Sequence, residues 1–139
     1  MKILDLTSFE NTINSLIDVI NVYNSDKSNI YMRDAMIQRF EYTYSLALKM
    51  IKRYFAQSAF EKENIDGMSF NEMIRTANRM ELLLSNLEQW NEYREKRNMT
   101  SHTYNQNIAQ DVVSIIPMFK DDAIFLLNRL KENLRKCSD

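Results

Sequence analysis

The chain has 139 residues, enough for one ordinary domain with a real core and too few for two independent ones. Apolar residues make up 45% of it and are spread throughout, which excludes disorder, and no apolar run approaches the roughly 18 residues that cross a bilayer. A net charge of −1 gives the whole molecule no attractive field for phosphate, so any nucleic-acid contact must rest on a local basic patch.

Asp5 and Glu10 interrupt the N-terminal stretch where a secretory signal needs an unbroken apolar run. The one cysteine, Cys137, cannot form an internal disulfide and is given no function. Both observations predict a cytoplasmic protein. One glycine and one proline supply too few turn formers for a sheet, so an all-α fold is expected over a single domain spanning residues 1–139.

Phe9, Ile13, Leu16, Ile17, Ile20 and Tyr23 recur at three- and four-residue steps and predict the first helix, with Thr7 and Glu10 in capping-box spacing at its start. Asn24 to Asn29 is its polar exit. A second helix is expected over Ile30 to Phe55, with Ile37, Phe40, Tyr44, Ala47, Leu48, Ile51 and Phe55 on one stripe, roughly 40 Å long. Gln57 to Gly67 reads as a loop. Ser69 and Glu72 repeat the capping-box spacing before a third helix that continues through Leu83, Leu87 and Trp90, with a break near Asn78.

The last helix is expected from about Asn107, with Ile108, Val112, Ile115, Ile116, Phe119, Ala123, Leu126, Leu127, Leu130 and Leu134 in one phase. Pro117 lies inside it and predicts a kink or short break, because proline has no N–H for the carbonyl four residues back. Asp121 and Asp122 would flank that break. Two long helices beside shorter ones suit an antiparallel up-and-down four-helix bundle.

The polar stretch Tyr93 to Asn107 should be a frayed end and connection, and it holds the only histidine. Arg97 lies five positions before His102, Asn98 follows the arginine, and Tyr104 lies two positions after the histidine. Arginine offers a permanent positive fork for phosphate, and histidine can exchange a proton near neutral pH. Such a pair can cleave RNA without a metal: His102 moves the proton of a ribose 2′-hydroxyl or of the leaving oxygen, and Arg97 holds the phosphate as charge builds. One histidine cannot easily be both acid and base, and a symmetric dimer would supply the second copy. By residue type alone, the plainer role of Arg97 and His102 is to tie helix ends to carbonyls or carboxylates, and it outweighs the chemical one.

The segment Arg97-Asn98-Met99-Thr100-Ser101-His102 resembles the HEPN motif of arginine, a polar residue, a spacer and histidine, and Tyr104 extends it to the form seen in HepT-like toxins. Arg33 to Tyr44 and Leu46 to Phe55 resemble the second helix of the nucleotidyltransferase substrate-binding branch of HEPN proteins. Ser69-Phe70-Asn71 and Trp90 to Tyr104 resemble later segments of that branch, so the likeness covers most of the chain from about Ile30 onward.

The resemblance implies a four-helix bundle, a homodimer with paired motifs facing a cleft, and a minimal nucleotidyltransferase encoded nearby as partner. As a ribonuclease toxin the chain would use Arg97 and His102 as catalytic residues, with Asn98 in support, and the partner would silence it by transferring AMP to Tyr104. In a second reading the chain is a non-catalytic substrate-binding subunit of the transferase, and in a third a helical dimer module whose motif is structural. The flanking sequence carries no strong basic stripe. Arg39 and Glu41 would form either a buried polar contact or a solvated pair on the second helix, and the methionines and Tyr42, Tyr44 and Tyr54 read as core and dimer packing. No metal cluster, glycine-rich phosphate loop or cofactor site is expected.

Overall fold

The computed structural model describes residues 4–58 and 62–138. Among the described residues six helices follow in order: α1 (Thr7–Ser25), α2 (Ile30–Gln57), α3 (Lys62–Asp66), α4 (Phe70–Arg79), α5 (Leu87–Asn98) and α6 (Gln106–Ser138). A 3-10 turn, Thr100–His102, stands between the last two. The fold is all-α, and among the described residues there is no strand.

The apolar stripes of α1, α2 and α6 pack on one another, and α5 closes the bundle against α6 while α4 leans on α2 and α5. Phe119 of α6 is the hub of the core. Its ring lies 5.0 Å from Phe40, 5.2 Å from Tyr93, 6.1 Å from Trp90 and 6.2 Å from Tyr44, edge-on to the first three. Such tilted contacts set the positive ring edge against the negative face, so the core has an orientation as well as a volume.

Local chemistry sets the helix starts. The Asn29 side chain accepts the N–H groups of Tyr31 and Met32, and Ser69 accepts that of Glu72. Both satisfy donors that the first turn leaves open. The start of α1 differs from the capping-box expectation: Leu6 occupies the cap position without a side-chain bond, and Asp5 Oδ1 accepts the Thr7 N–H instead at 2.9 Å. Glu10 reaches across the bundle to Lys131, 2.7 Å away, and so is not available to a cap.

One other expectation is corrected outright. The region read as a loop after Gln57 contains α3, while residues 59–61 of it lie outside the described residues. The third helix breaks near Asn78 as expected: α4 ends at Arg79, and residues 80–86 separate it from α5, with Glu81 at a left-handed φ of 61°. There the Leu82 N–H bonds the Ala77 carbonyl and the Glu81 N–H bonds the Asn78 carbonyl, the paired bonds of a Schellman stop. Arg129 of α6 secures this turn, its Nε donating to the Glu81 carbonyl at 2.9 Å. Of the kink or short break expected at Pro117, the break is absent: α6 runs as one helix through it, and the buried residues on both sides keep one face in the core.

Candidate functional site

Arg97 and Asn98 form the last turn of α5, and the chain then tightens rather than frays. Thr100 Oγ1 donates to the Arg97 carbonyl at 2.8 Å, and the His102 N–H bonds the Met99 carbonyl at 3.0 Å. Thr103 Oγ1 bonds the Thr100 carbonyl at 3.1 Å, and the Asn105 N–H bonds the His102 carbonyl at 3.0 Å. Asn105 then caps α6, its side-chain oxygen accepting the N–H groups of Asn107 and Ile108. The threonines and asparagine that weaken a helix here supply the bonds of an ordered turn in its place.

This turn displays the motif to solvent. Arg97, Asn98, His102 and Tyr104 are all exposed, Tyr104 at 87%. The His102 and Tyr104 rings meet at a centroid distance of 6.2 Å and 71° between planes. Arg97 and His102 are not joined to each other, and no described residue holds the Arg97 guanidinium or the His102 imidazole by a hydrogen bond or ion pair. The structural role that residue type alone favoured for them, tying helix ends, is therefore not what they do. On one side the turn borders a groove against α2, where Thr100 and Thr103 face Gln38, Glu41 and Asp34.

Beneath the turn, α5 is held by groups for which no such role was expected. Asp122 is fully buried and is not the flank of a helix break. It accepts hydrogen bonds from the Tyr93 hydroxyl, from the Ser85 hydroxyl at 2.8 Å and from the Ser85 N–H at 3.0 Å. Burial pushes the Asp122 carboxyl above its ordinary value, and the Tyr93 and Ser85 donors, which favour the charged form, oppose it. Tyr93 is raised by burial and then by its bond to Asp122. Its neighbour Trp90, also buried, has no partner for Nε1 among the described residues.

Arg94, one turn before Arg97, stands over the Phe70 ring at 4.8 Å. Burial raises the Tyr44 phenol to about 12, and the positive charges of Arg94 and Arg97 pull against it. Arg39 does not pair with Glu41, because its Nε donates to Ser15 of α1 at 2.6 Å. Of the tyrosines read as packing, Tyr44 is buried and Tyr42 is 56% exposed. Among the described residues no three histidine, cysteine, aspartate or glutamate side chains gather as metal ligands. No helix there is long and apolar enough to cross a membrane.

A family described as nucleotidyltransferase substrate binding protein like matches residues 4–132. The chain belongs to this family. A probable ribonuclease HepT from Haemophilus influenzae is 40% identical over 96 residues, 69% of this chain and 65% of the relative. The match thus spans a little under two thirds of that relative's length. A solved structure from Haemophilus influenzae, described as the fold of a substrate binding domain of a nucleotidyltransferase, superimposes with a TM-score of 0.85 at 32% identity over 91% of this chain and 99% of its own. A Thermus thermophilus protein superimposes with a TM-score of 0.68 at 30% identity, over 88% of this chain and 98% of its own. Both solved proteins therefore share this bundle.

Proposed function

We propose that this chain, acting as one helical domain and as a homodimer in the cytoplasm, is a metal-independent endoribonuclease toxin paired with a minimal nucleotidyltransferase encoded nearby. The observation that carries the reading is the ordered turn after α5, which presents Arg97, His102 and Tyr104 to solvent with the arginine and histidine uncommitted to structural partners. The likeness to a probable ribonuclease supports it.

In the reaction His102 takes the proton of a ribose 2′-hydroxyl, the 2′ oxygen attacks phosphorus, and the bond to the 5′ oxygen breaks. Arg97 holds the non-bridging oxygens while charge builds on them, and Asn98 supports the same face. The leaving oxygen takes its proton from the second His102 of the dimer. The products are a 2′,3′-cyclic phosphate and a 5′-hydroxyl end.

Silencing follows from the exposure of Tyr104. Its phenol oxygen attacks the α-phosphorus of ATP held by the partner, pyrophosphate leaves, and an AMP group comes to lie beside His102, against which the Tyr104 ring rests. Intact mass after co-expression with the neighbouring transferase should rise by one or more AMP units, and Tyr104→Phe should lose that gain. Expression alone should slow growth, and His102→Ala should remove the effect; equal toxicity in the mutant sinks the proposal. The family match over residues 4–132 favours a second reading, a non-catalytic substrate-binding subunit. An unchanged mass in a complex that still forms, together with intact RNA, would select it.

A further inference from the structure

The sequence has no basic stripe beside the motif, but folding assembles one. A cleft of roughly 290 Å³ opens between α2, α4 and α5, next to the root of the Arg97 turn. Lys49 and Lys52 of α2 and Arg94 of α5 line it, Phe70 is part of its apolar side, and among the described residues no carboxylate lines it. None of the three cations is ion-paired among the described residues. On a chain of net charge −1, three unpaired cations around one concavity form a local anion site.

The lining also suits a flat ring. Arg94 lies 4.8 Å over Phe70, and a guanidinium on an aromatic ring is a surface on which nucleobases stack. The volume is near the lower end for small-ligand pockets and leaves room for one nucleotide unit. Tyr44 contributes a phenol that stays protonated at neutral pH and can donate to a phosphate oxygen. Arg94 and Arg97 are three residues apart on α5, so they are neighbours on the helix surface, and the charges of both reach Tyr44. The cleft and the motif are thus consecutive along one helix.

We infer that this cleft is a subsite for a nucleoside phosphate, with Lys49, Lys52 and Arg94 on the phosphate and the Arg94–Phe70 stack beneath the base. In an RNA strand it holds the nucleotide adjacent to the one processed at Arg97 and His102, and this arm rests on the ribonuclease reading. The same chemistry also fits a free nucleotide such as the ATP that a transferase consumes.

The test uses the full chain and two probes: a fluorescein-labelled 2′-O-methyl oligoribonucleotide, which has no 2′-hydroxyl to attack, and ATP. Lys49→Glu with Lys52→Glu should weaken oligonucleotide binding about tenfold or more and lower the salt slope by about 1.4, the share of two phosphates on a single strand. Lys136→Glu, on the exposed end of α6, should change neither. Both substituted lysines of the cleft are exposed, and Lys49→Gln with Lys52→Gln serves as the milder variant, expected to fall between wild type and the reversal. Loss of oligonucleotide binding assigns the cleft to RNA, and loss confined to ATP assigns it to the free nucleotide. Equal binding by wild type and the double variant, or no binding of either probe by wild type, overturns the subsite. Cleavage of an unmodified strand separates the two ideas: a wild type that binds through the cleft but never cleaves keeps the subsite and ends the ribonuclease reading. A protein that cleaves with both lysines reversed, at unchanged affinity, does the opposite.

Discussion

Along α5 and the turn after it, Trp90 and Tyr93 are fully buried, whereas Arg97, Asn98, His102 and Tyr104 face solvent. The inner part is joined to α6 through Asp122 and to the preceding loop through Ser85. The outer part is ordered by its own backbone, by short threonine and asparagine bonds and by Met99, which packs half-buried against the core. A buried carboxylate thus holds the helix in place, and the side chains of the proposed site at its tip are left free of structural duty. Substitutions should consequently separate cleanly into those that change chemistry and those that change stability.

The strongest way to break this contrast is at the tip. His102→Ala or Arg97→Ala should lower RNA cleavage by about 100-fold or more while stability stays within about 0.5 kcal/mol. Parallel cleavage assays and urea unfolding would show it, and a large stability loss would mean that the tip is structural after all. Asp122→Ala should do the reverse. It leaves the Tyr93 and Ser85 donors unpaired in the core and should cost about 3 kcal/mol in urea unfolding. Tyr93→Phe removes only one of three donors to Asp122 and should cost about 1 kcal/mol by the same measurement.

The smallest effect is a pH dependence. The folded pKa of Asp122 lies above its unfolded value of 3.8, so the native state holds more proton than the unfolded state between the two. Its stability contribution is therefore fullest at low pH and declines as pH rises from 3.8 through the folded value. Thermal unfolding of wild type minus that of Asp122→Asn should fall across this window, and a difference that grows with pH would contradict the burial argument.

The sequence made the helices legible because their apolar positions repeat in phase. Phe9 to Tyr23, Ile37 to Phe55 and Val112 to Leu130 supply buried positions of the core much as spacing requires. It placed the end of α4 near Asn78 but not the length of the gap, since Leu82 and Leu83 are buried and carry the apolar signal across the break. The stop uses Glu81 where glycine usually sits, and Arg129, 48 residues away, secures it. The motif was readable as spacing, but its freedom from partners was not. Asp122 was hidden for a related reason: an aspartate beside Asp121 looks like a solvated helix surface until a tyrosine hydroxyl is folded against it. The basic cleft was invisible because Lys49 and Arg94 are 45 positions apart.

The stop at Glu81 also bears on amide exchange. Because α5 begins just beyond a turn tied to α6 by Arg129, and is tied to α6 again at Tyr93, it cannot swing away without first releasing the longest helix of the bundle. Amides in the middle of α5 should exchange on the timescale of global unfolding, while those from Met99 to Tyr104 exchange through small local openings. The tip can then breathe with no opening of the core that supports it.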